Sequence, residues 1–256
     1  MKTAKSSIYL SVIIPSYNEQ ENFARGVLDE VADYLSKQSY SWEVILSDDG
    51  STDGTSATLA QFAKQHPGFR VLDNTHAGKG PTVQSGMLAA QGDWRLFTDF
   101  DQSTPISEVE KLFAVAKKGY DIVIGSREVE GAKRHREPLH RHLMGKGFNI
   151  LVQLLAVPGI YDTQCGFKLF SAASAEQLFP KLTVYGRETI QPDAYTGAFD
   201  VEVLYLARKA GLRVKEHPIF WQHNATNRVN PILDSIRMLR DILQVRIADL
   251  KGKYRA

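Results

Sequence analysis

The amino-acid sequence predicts an α/β fold, with a mostly parallel central sheet and helices on both faces. Short apolar segments alternate with helical patterns through residues 9–125, which is typical of parallel strands joined by right-handed crossovers. The apolar segments are continuous runs, as expected of strands that are covered on both faces. Several of these runs end in acidic residues. Because ligands of such sheets bind beyond the carboxyl ends of the strands, this pattern predicts a binding site at that edge.

The individual elements follow from apolar spacing and turn residues. In the first half we predict strands at residues 9–14, 42–47, 70–72, 94–98 and 121–125, and helices at 20–38, 55–65, 81–90 and 107–118. The second half is less regular. It predicts a basic loop at 128–141, a helix at 143–157, a mixed strand or loop at 162–170, a helix within 196–210, a strand at 214–219 and a helix at 232–254. The last helix is amphipathic. Its apolar residues share one side: Ile232, Ile236, Leu239, Leu243, Ile247 and Leu250.

Composition excludes several classes of protein. The chain has 256 residues, of which 43% are hydrophobic and 23% charged, so one substantial core is expected. The net charge of +2 gives no general signal for nucleic-acid binding. A single cysteine, Cys165, excludes an internal disulfide framework and a cysteine-based zinc site, and it fits a reducing compartment. We identify no signal peptide and no apolar run long enough to span a bilayer.

Two aspartates define the most suggestive position in the sequence. Asp99 and Asp101 follow the strand predicted at residues 94–98, and their spacing places them on the same side of an extended chain. Paired carboxylates of this kind suit Mg²⁺ or Mn²⁺, and such an ion suits a diphosphate. Alone, the pair is better explained by loop capping, because Asp-x-Asp is common by chance. However, the loop at residues 15–19 and the Asp48–Asp49 pair also follow strand ends, so all three groups are expected at one sheet edge.

Common nucleotide-binding motifs are absent from the sequence. No G-x-G-x-x-G follows the first strand, which argues against a dinucleotide-binding oxidoreductase. Residues 78–80 (GKG) lack the glycine spacing of a P-loop, and no serine or threonine follows Lys79. The loop at residues 15–19 instead offers an aromatic ring and an acid. It therefore suits stacking and hydrogen bonding of a base more than cradling of a triphosphate.

Six motifs occur in the order found in family 2 glycosyltransferases. They are SVIIPSYNE at residues 11–19, DDGSTDGT at 48–55, GKG at 78–80, DFD at 99–101, GSR at 125–127 and DTQCGFKLF at 162–170. The sequence therefore resembles this family, whose members have the GT-A fold, a Rossmann-like α/β fold. The resemblance covers nearly the whole chain. DTQCGFKLF is most similar to the polyprenyl-phosphate sugar transferases, and among these to the dolichyl-phosphate β-glucosyltransferases.

The resemblance implies roles for individual residues. Donor binding would involve Pro15, Tyr17, Glu19, Asp49, Lys79, Asp99 and Arg228. The metal, Mg²⁺ or Mn²⁺, would bind to Asp99 and Asp101, and Ser103 stands where mannosyl relatives often carry a further glutamine ligand. The acceptor phosphate would contact Arg127, Arg141 and Gln164. The residues expected to be catalytic are Asp101, Arg127 and Asp200, with Asp200 needed as a base only if the acceptor is a sugar hydroxyl.

The resemblance also implies an overall organisation and an activity. We expect one GT-A domain over residues 1–256, with a nucleotide-binding half at 1–125, an acceptor-binding half at 126–230 and an amphipathic helix at 231–256. The expected reaction is metal-dependent, inverting transfer of a hexose from a nucleotide sugar to a polyprenyl or dolichyl phosphate. UDP-glucose is the expected donor, with GDP-mannose as the alternative donor.

Two other functions remain open on the sequence. One is a family 2 glycosyltransferase that acts on a sugar hydroxyl of a glycan or polysaccharide, and the other is a non-catalytic nucleotide-sugar-binding module. The expected location is cytoplasmic, with peripheral contact to the cytoplasmic face of a membrane and no nucleic-acid partner. The basic flank of the helix at residues 232–254 is the sequence feature that favours membrane contact.

Overall fold

A seven-stranded sheet forms the centre of the fold. The computed structural model describes residues 8–135, 152–186, 198–223 and 231–254. In chain order its strands are β1 (Leu10–Ser16), β2 (Trp42–Asp48), β3 (Phe69–Asp73), β4 (Trp94–Thr98), β5 (Ile122–Ser126), β6 (Lys133–His135), β7 (Phe167–Ser171), β8 (Val214–Pro218) and β9 (Phe220–Gln222). The large sheet has the order β3-β2-β1-β4-β7-β5-β8, and β6 pairs with β9 separately.

One strand of the large sheet runs against the others. β7 is antiparallel to both β4 and β5, whereas every other pair in this sheet is parallel. In the register, Thr98 at the end of β4 lies opposite Phe167 at the start of β7. The segment that precedes β7 therefore reaches the carboxyl edge of the parallel strands. The α/β class and the mostly parallel sheet are confirmed.

The helices lie between the strands in chain order. They are α1 (Gln20–Ala24), α2 (Val27–Ser36), α3 (Thr55–Gln65), α4 (Lys79–Ala89), α5 (Val109–Ala116), α6 (Ala172–Leu178), α7 (Phe199–Lys209) and α8 (Pro231–Leu250). Short 3₁₀ turns occupy Ile106–Glu108 and Phe179–Lys181. The helix predicted at residues 143–157 falls largely outside the described residues.

The structure adds α6 and β9, which the sequence analysis did not predict, and two predicted elements differ in form. The helix predicted at residues 20–38 is two helices, because Gly26 adopts a left-handed φ of 76° between α1 and α2. Only glycine takes that conformation without a steric penalty. The basic stretch at residues 128–141 is not entirely a loop either. Part of it forms β6, whose residues pair in parallel with β9.

The centre of the sheet is buried on both faces, as its continuous apolar runs predicted. The first four residues of β7 are Phe167, Lys168, Leu169 and Phe170, and each is at most 1% exposed. A lysine thus lies inside the sheet layer, where a charged group requires a partner. Its partners belong to the candidate site described below.

Helix α8 packs through the side opposite to the apolar stripe seen in the sequence. Its buried residues include Met238, Ile242, Val245 and Ala248. Ile236, Leu243, Ile247 and Leu250 are all exposed. Among the described residues, no helix combines the length and the apolar character needed to cross a membrane.

Candidate active site

Two of the sequence motifs, SVIIPSYNE and DDGSTDGT, form loops that are hydrogen-bonded to each other at the carboxyl edge of the sheet. The loop after β1 contacts the loop after β2 through Asn18, whose backbone N–H donates to Ser51 Oγ over 2.9 Å. Asn18 Oδ1 accepts from the backbone N–H of Thr52 at 2.8 Å. The backbone N–H of Glu19 donates to Thr55 Oγ1 at 2.8 Å. Asn18 has a left-handed φ of 54°, which asparagine tolerates better than most residues. The two motifs therefore position one another.

Asp48 and Asp53 act within these loops. Asp48 Oδ2 accepts from the backbone N–H of Ser51 at 2.9 Å. Asp53 Oδ1 accepts from the backbone N–H of Thr55 at 2.9 Å, at the start of α3. Burial raises the pKa of Asp53, but its hydrogen bonds from Thr55 and Gln20 outweigh that effect and hold the pKa below its usual value. These two carboxylates stabilise turns.

Tyr17, Asp49 and His76 form an aromatic and acidic cluster beside Pro15, which lies near the end of β1. The rings of Tyr17 and His76 stack with centroids 4.4 Å apart. Asp49 accepts from the backbone N–H groups of Ala77 at 2.9 Å and Gly78 at 3.0 Å, and its Oδ2 lies 2.9 Å from His76 Nδ1. The cluster is the surface to which the resemblance assigns base recognition. The sequence analysis did not identify His76 as a site residue, although it lies only two residues before the quoted GKG motif.

Asp99 is packed against the DTQCGFKLF motif. Lys79, the first residue of α4, places its Nζ 2.7 Å from Asp99 Oδ1, and the backbone N–H of Asp99 donates to Gly166 O at 3.1 Å. A Cβ atom at position 166 would lie only 1.9 Å from Asp99 Oδ2. Glycine is therefore required at this position for the chain to approach the aspartate.

Asp101 is held by its neighbours in the same loop. Ser103 donates to it twice at 2.9 Å, from its backbone N–H and from its hydroxyl. Burial, and then the nearby charge of Asp99, raise the pKa of Asp101 above its usual value. Two carboxylates that repel one another in this way are stabilised by a bound cation.

The groups around Asp99 and Asp101 fit Mg²⁺ or Mn²⁺. Gln102 donates from Nε2 to Asp99 O at 2.8 Å, while its Oε1 is buried without a hydrogen-bond partner in the described part of the chain. Hard divalent ions prefer oxygen ligands of this kind. No group of three His, Cys, Asp or Glu side chains that could hold a metal occurs among the described residues. The remaining ligands of an ion here would be amide, phosphate or water oxygens.

A buried ion pair links β7 to the start of α7. Lys168 Nζ donates to Cys165 O at 2.5 Å and forms an ion pair with Asp200 Oδ1. Lys168 and Lys79 both lie near the ring of Phe97, 5.8 and 5.3 Å from its centroid. Burial raises the pKa of Asp200, although the charges of Lys168 and Lys79 oppose the shift. The sequence analysis assigned no role to Lys168, although a lysine within an apolar strand is a usable signal.

A second ion pair fixes Arg127, directly after β5. Its Nε and Nη2 donate to the two oxygens of Asp162 at 2.8 Å, and its guanidinium lies 5.2 Å from the ring centroid of Trp221. Burial would raise the pKa of Asp162, but the charge and hydrogen bonds of Arg127 hold that pKa below its usual value. Arg127 is thus oriented before any ligand binds.

The structure places two further candidate residues, and two others lie outside the part of the chain that it describes. Gln164 is half-buried, and its Nε2 lies 3.5 Å from Met238 Sδ on α8. Glu202, the acid two residues after Asp200, is fully buried and accepts from the backbone N–H groups of residues 183–185 and from Tyr254, which indicates a structural role. Arg141 and Arg228 lie outside the described residues. The ligand-binding roles assigned to these and the other site residues stay predictions.

A family model decides the classification. The model for glycosyl transferase family 2 matches residues 11–179, which include all six sequence motifs in full and most of the carboxyl edge described above. The chain belongs to this family. It is therefore a glycosyltransferase, and the resemblance inferred from the sequence is confirmed.

Similar proteins agree with this classification. A dolichyl-phosphate β-glucosyltransferase from Dictyostelium discoideum is 34% identical, over 99% of this chain and 79% of that protein. The human protein of the same name is 32% identical, over 96% of this chain and 77% of its own length. Among solved structures, glucosyl-3-phosphoglycerate synthase from Mycobacterium tuberculosis in complex with Mn²⁺, UDP and glucosyl-3-phosphoglycerate covers 96% of this chain and 81% of that structure, with 18% identity and a TM-score of 0.58. A mannosyltransferase from Pyrobaculum calidifontis in complex with GDP-Man and Mn²⁺ covers 96% of this chain and 72% of that structure, with 19% identity and a TM-score of 0.54. These structures support the GT-A fold.

Proposed function

We propose that this glycosyltransferase transfers glucose from UDP-glucose to a dolichyl or other polyprenyl phosphate, with inversion at the anomeric carbon and with a divalent metal ion. The relatives named dolichyl-phosphate β-glucosyltransferase support the sugar and the acceptor class, because the similarity extends over nearly the whole chain. The solved structures that contain Mn²⁺ with UDP or GDP-Man support metal use.

The ion pair between Asp200 and Lys168 is the observation that most favours a phosphate acceptor over a sugar hydroxyl. A sugar hydroxyl must lose a proton during attack, so an enzyme for such an acceptor needs a general base within reach. Here Asp200 is buried and forms an ion pair with Lys168, and Glu202 is saturated by backbone donors and Tyr254. A phosphate monoester has a second pKa of about 6 and is already ionised at neutral pH. An ionised acceptor therefore suits this site better than a hydroxyl does.

The reaction follows from these positions. An oxygen of the acceptor phosphate forms a bond to the anomeric carbon from the face opposite the diphosphate. The bond between that carbon and the diphosphate oxygen breaks, and UDP leaves with the electron pair. Tyr17 and the Asp49–His76 pair would hold the base, and Arg127, already oriented by Asp162, would bind the acceptor phosphate.

The main electrostatic task of the site is to stabilise the negative charge of the departing UDP. A divalent ion bound through Asp99 and Asp101 would neutralise part of that charge. Lys79, 2.7 Å from Asp99, adds a positive group on the same side. Electrostatic contacts of this kind are typically worth about 3–4 kcal/mol of barrier each.

The proposal is tested by product analysis with defined substrates. The purified protein is incubated with UDP-glucose or GDP-mannose, with Mg²⁺, Mn²⁺ or a chelator, and with a short polyprenyl phosphate or an oligosaccharide as acceptor. We expect metal-dependent formation of a β-glucosyl phosphate lipid from UDP-glucose. Turnover only with the oligosaccharide would contradict the acceptor class. Donor binding without product on any acceptor would contradict catalysis by this chain.

A further inference from the structure

We propose that the exposed side of α8 is the surface through which this protein lies on an anionic membrane. The proposal concerns an apolar ridge, which we define as Ile236, Leu243, Ile247 and Leu250. It rests on the proposed function, since a polyprenyl phosphate acceptor resides in a bilayer. It goes further by naming the part of the fold that contacts the lipid and the charge of the lipid that it requires.

The ridge is an apolar surface that the described part of the chain leaves exposed. Its four side chains are 62%, 46%, 49% and 80% exposed. At about 100° of rotation per residue, they lie within one narrow sector of the helix. The residues that pack against the body of the protein occupy the opposite sector, as the burial of Met238, Ile242, Val245 and Ala248 shows. One face of the helix therefore packs against the core, and a second apolar face is exposed.

Acidic and basic residues of α8 lie on different sides of the helix, and this separation fits an anionic partner. The acids between residues 236 and 250 are Asp241 and Asp249, and both contact the body of the protein. Asp241 accepts from Tyr185, while Asp249 accepts from Tyr205 at 2.6 Å and pairs with Lys209. The basic residues Arg240 and Lys251 are exposed and make no ion pair within the described part of the chain. By helical spacing they lie beside the ridge.

A cleft at the edge of the ridge adds to this positive surface. It has a volume of 270 Å³ and is lined by residues that include Thr183, Gln244, Ile247, Lys251 and Lys253. Two ammonium groups and two neutral polar side chains beside an apolar residue suit the headgroup of an anionic lipid. Lysine and arginine near such a membrane surface each add to the attraction.

The same charges argue against a second copy of this chain as the occupant. In a symmetric dimer the same patch meets itself, so the basic residues that flank the ridge of one copy would face those of the other. A bilayer with anionic headgroups has the opposite charge. It also accepts a convex apolar ridge at the boundary between headgroups and acyl chains.

The helix that carries this surface contacts the acceptor-binding part of the site through its other face. Met238, on the buried face of α8, is 3.5 Å from Gln164 in the segment that leads into β7. The same segment contains Asp162, the partner of Arg127. A bilayer under α8 would therefore hold polyprenyl phosphates near the residues proposed to bind them.

Vesicle partitioning tests the proposal directly. Wild-type protein is mixed with vesicles of phosphatidylcholine alone or of phosphatidylcholine with phosphatidylserine, and the bound fraction is measured by flotation. We expect binding to the anionic vesicles that weakens with salt. The variant Leu243→Gln/Ile247→Gln should lower the partition coefficient at least tenfold, about 1.4 kcal/mol. Arg240→Gln/Lys251→Gln should reduce binding to anionic vesicles and flatten its salt dependence.

Leu154→Gln is the matched control, because Leu154 is a leucine outside α8 that is 77% exposed, more than either residue of the double variant. Its partition coefficient should equal that of the wild type. All three variants change exposed residues, so unchanged thermal unfolding verifies that the fold is intact. Equal binding by Leu243→Gln/Ile247→Gln and wild type would overturn the proposal. A dimer in light scattering that this variant dissociates, without any vesicle binding, would assign the ridge to a second copy instead.

Activity measurements separate this proposal from the proposed function. With the acceptor embedded in anionic vesicles, Leu243→Gln/Ile247→Gln should be at least tenfold slower than wild type. With the same acceptor dispersed in detergent, the two proteins should be equal. If the proposed function is wrong, neither format gives product, and the flotation result still decides whether the ridge binds lipid.

Discussion

The carboxylates of the donor side and those of the acceptor side are held by different kinds of partner. On the donor side, Asp49 and Asp101 accept hydrogen bonds mainly from backbone N–H groups and a hydroxyl. On the acceptor side, Asp162 and Asp200 are paired with Arg127 and Lys168. Asp99 lies between the two groups and contacts Lys79.

This difference shows how one sheet edge can serve two charged ligands. A carboxylate held by neutral donors retains its full negative charge, so it can still attract a metal ion. A carboxylate that is ion-paired instead fixes the position of a cation, which can then meet a phosphate. The donor side is thus suited to bind positive charge and the acceptor side to bind negative charge. A variant that changes the donor side should therefore impair that side of the site and leave the acceptor side intact, and the reverse should hold for a variant of the acceptor side.

Asp101→Asn should have the largest effect on catalysis. The substitution removes the charge proposed to bind the metal but preserves the size of the side chain and its contact with Ser103. We expect kcat/KM to fall about 10²–10³-fold, the usual loss for one electrostatic contact to the transition state. Mn²⁺ binding, followed by electron paramagnetic resonance, should weaken in parallel. Ser103→Ala, which leaves the carboxylate in place, is the control and should lose far less of both.

Gly166→Ala should impair the donor side of the site, even though Gly166 belongs to the DTQCGFKLF motif of the acceptor side. The new Cβ would clash with Asp99 at 1.9 Å, so the carboxylate must move. A displacement of this size can cost about 10²-fold in rate. Steady-state kinetics should therefore show a large loss in kcat/KM, while circular dichroism shows a normal fold. Wild-type kinetics in this variant would contradict the proposed role of Asp99.

Lys168→Met should affect stability more than any substitution of a donor-side hydroxyl. It leaves Asp200 buried without its cation, and breaking a buried pair in this way typically costs about 3–5 kcal/mol. Urea denaturation measures the loss. The double variant Lys168→Met/Asp200→Leu should recover part of it, because no unpaired charge then remains. A single variant as stable as Ser103→Ala would contradict the contrast between the two sides.

Asp162→Asn should give a stability loss that depends on pH. The folded-state pKa of Asp162 lies below its unfolded value of about 3.9. Its ionisation therefore stabilises the fold fully above that pH, and the contribution is lost as the pH falls through the folded pKa. Denaturation from pH 7 downward should show a constant deficit that shrinks below about pH 4. Asp33→Asn, at an exposed pair with Lys37, is the control and should change stability little.

The sequence predicted the first half of the fold closely because its strands are buried runs with clear boundaries. β4 and α3 have the predicted bounds, and the predicted parallel sheet placed Asp49, Asp99 and Asp101 at one edge. The break at Gly26 was missed because apolar residues continue at helical spacing through it. Tertiary pairs such as Lys168–Asp200 and Arg127–Asp162 join residues 32 and 35 positions apart, and local patterns do not encode such contacts.

Helix α8 shows a different limit of sequence analysis. Periodicity correctly identified an apolar side that contains Leu243 and Ile247. It did not show which side meets the protein, because the opposite side carries Met238, Ile242 and Val245. Only the packed structure distinguishes the two faces.

The central claim is that the acceptor side orients an already ionised nucleophile, so that Asp200 does not act as a general base. Asp200→Asn tests it most directly, because asparagine can still accept a hydrogen bond from Lys168 but cannot take a proton. In single-turnover measurements at saturating donor, we expect a loss of about tenfold and an unchanged pH profile. A loss beyond about a thousandfold, with donor binding and fold intact and the acid limb of the pH profile abolished, would mark Asp200 as a base and contradict the account.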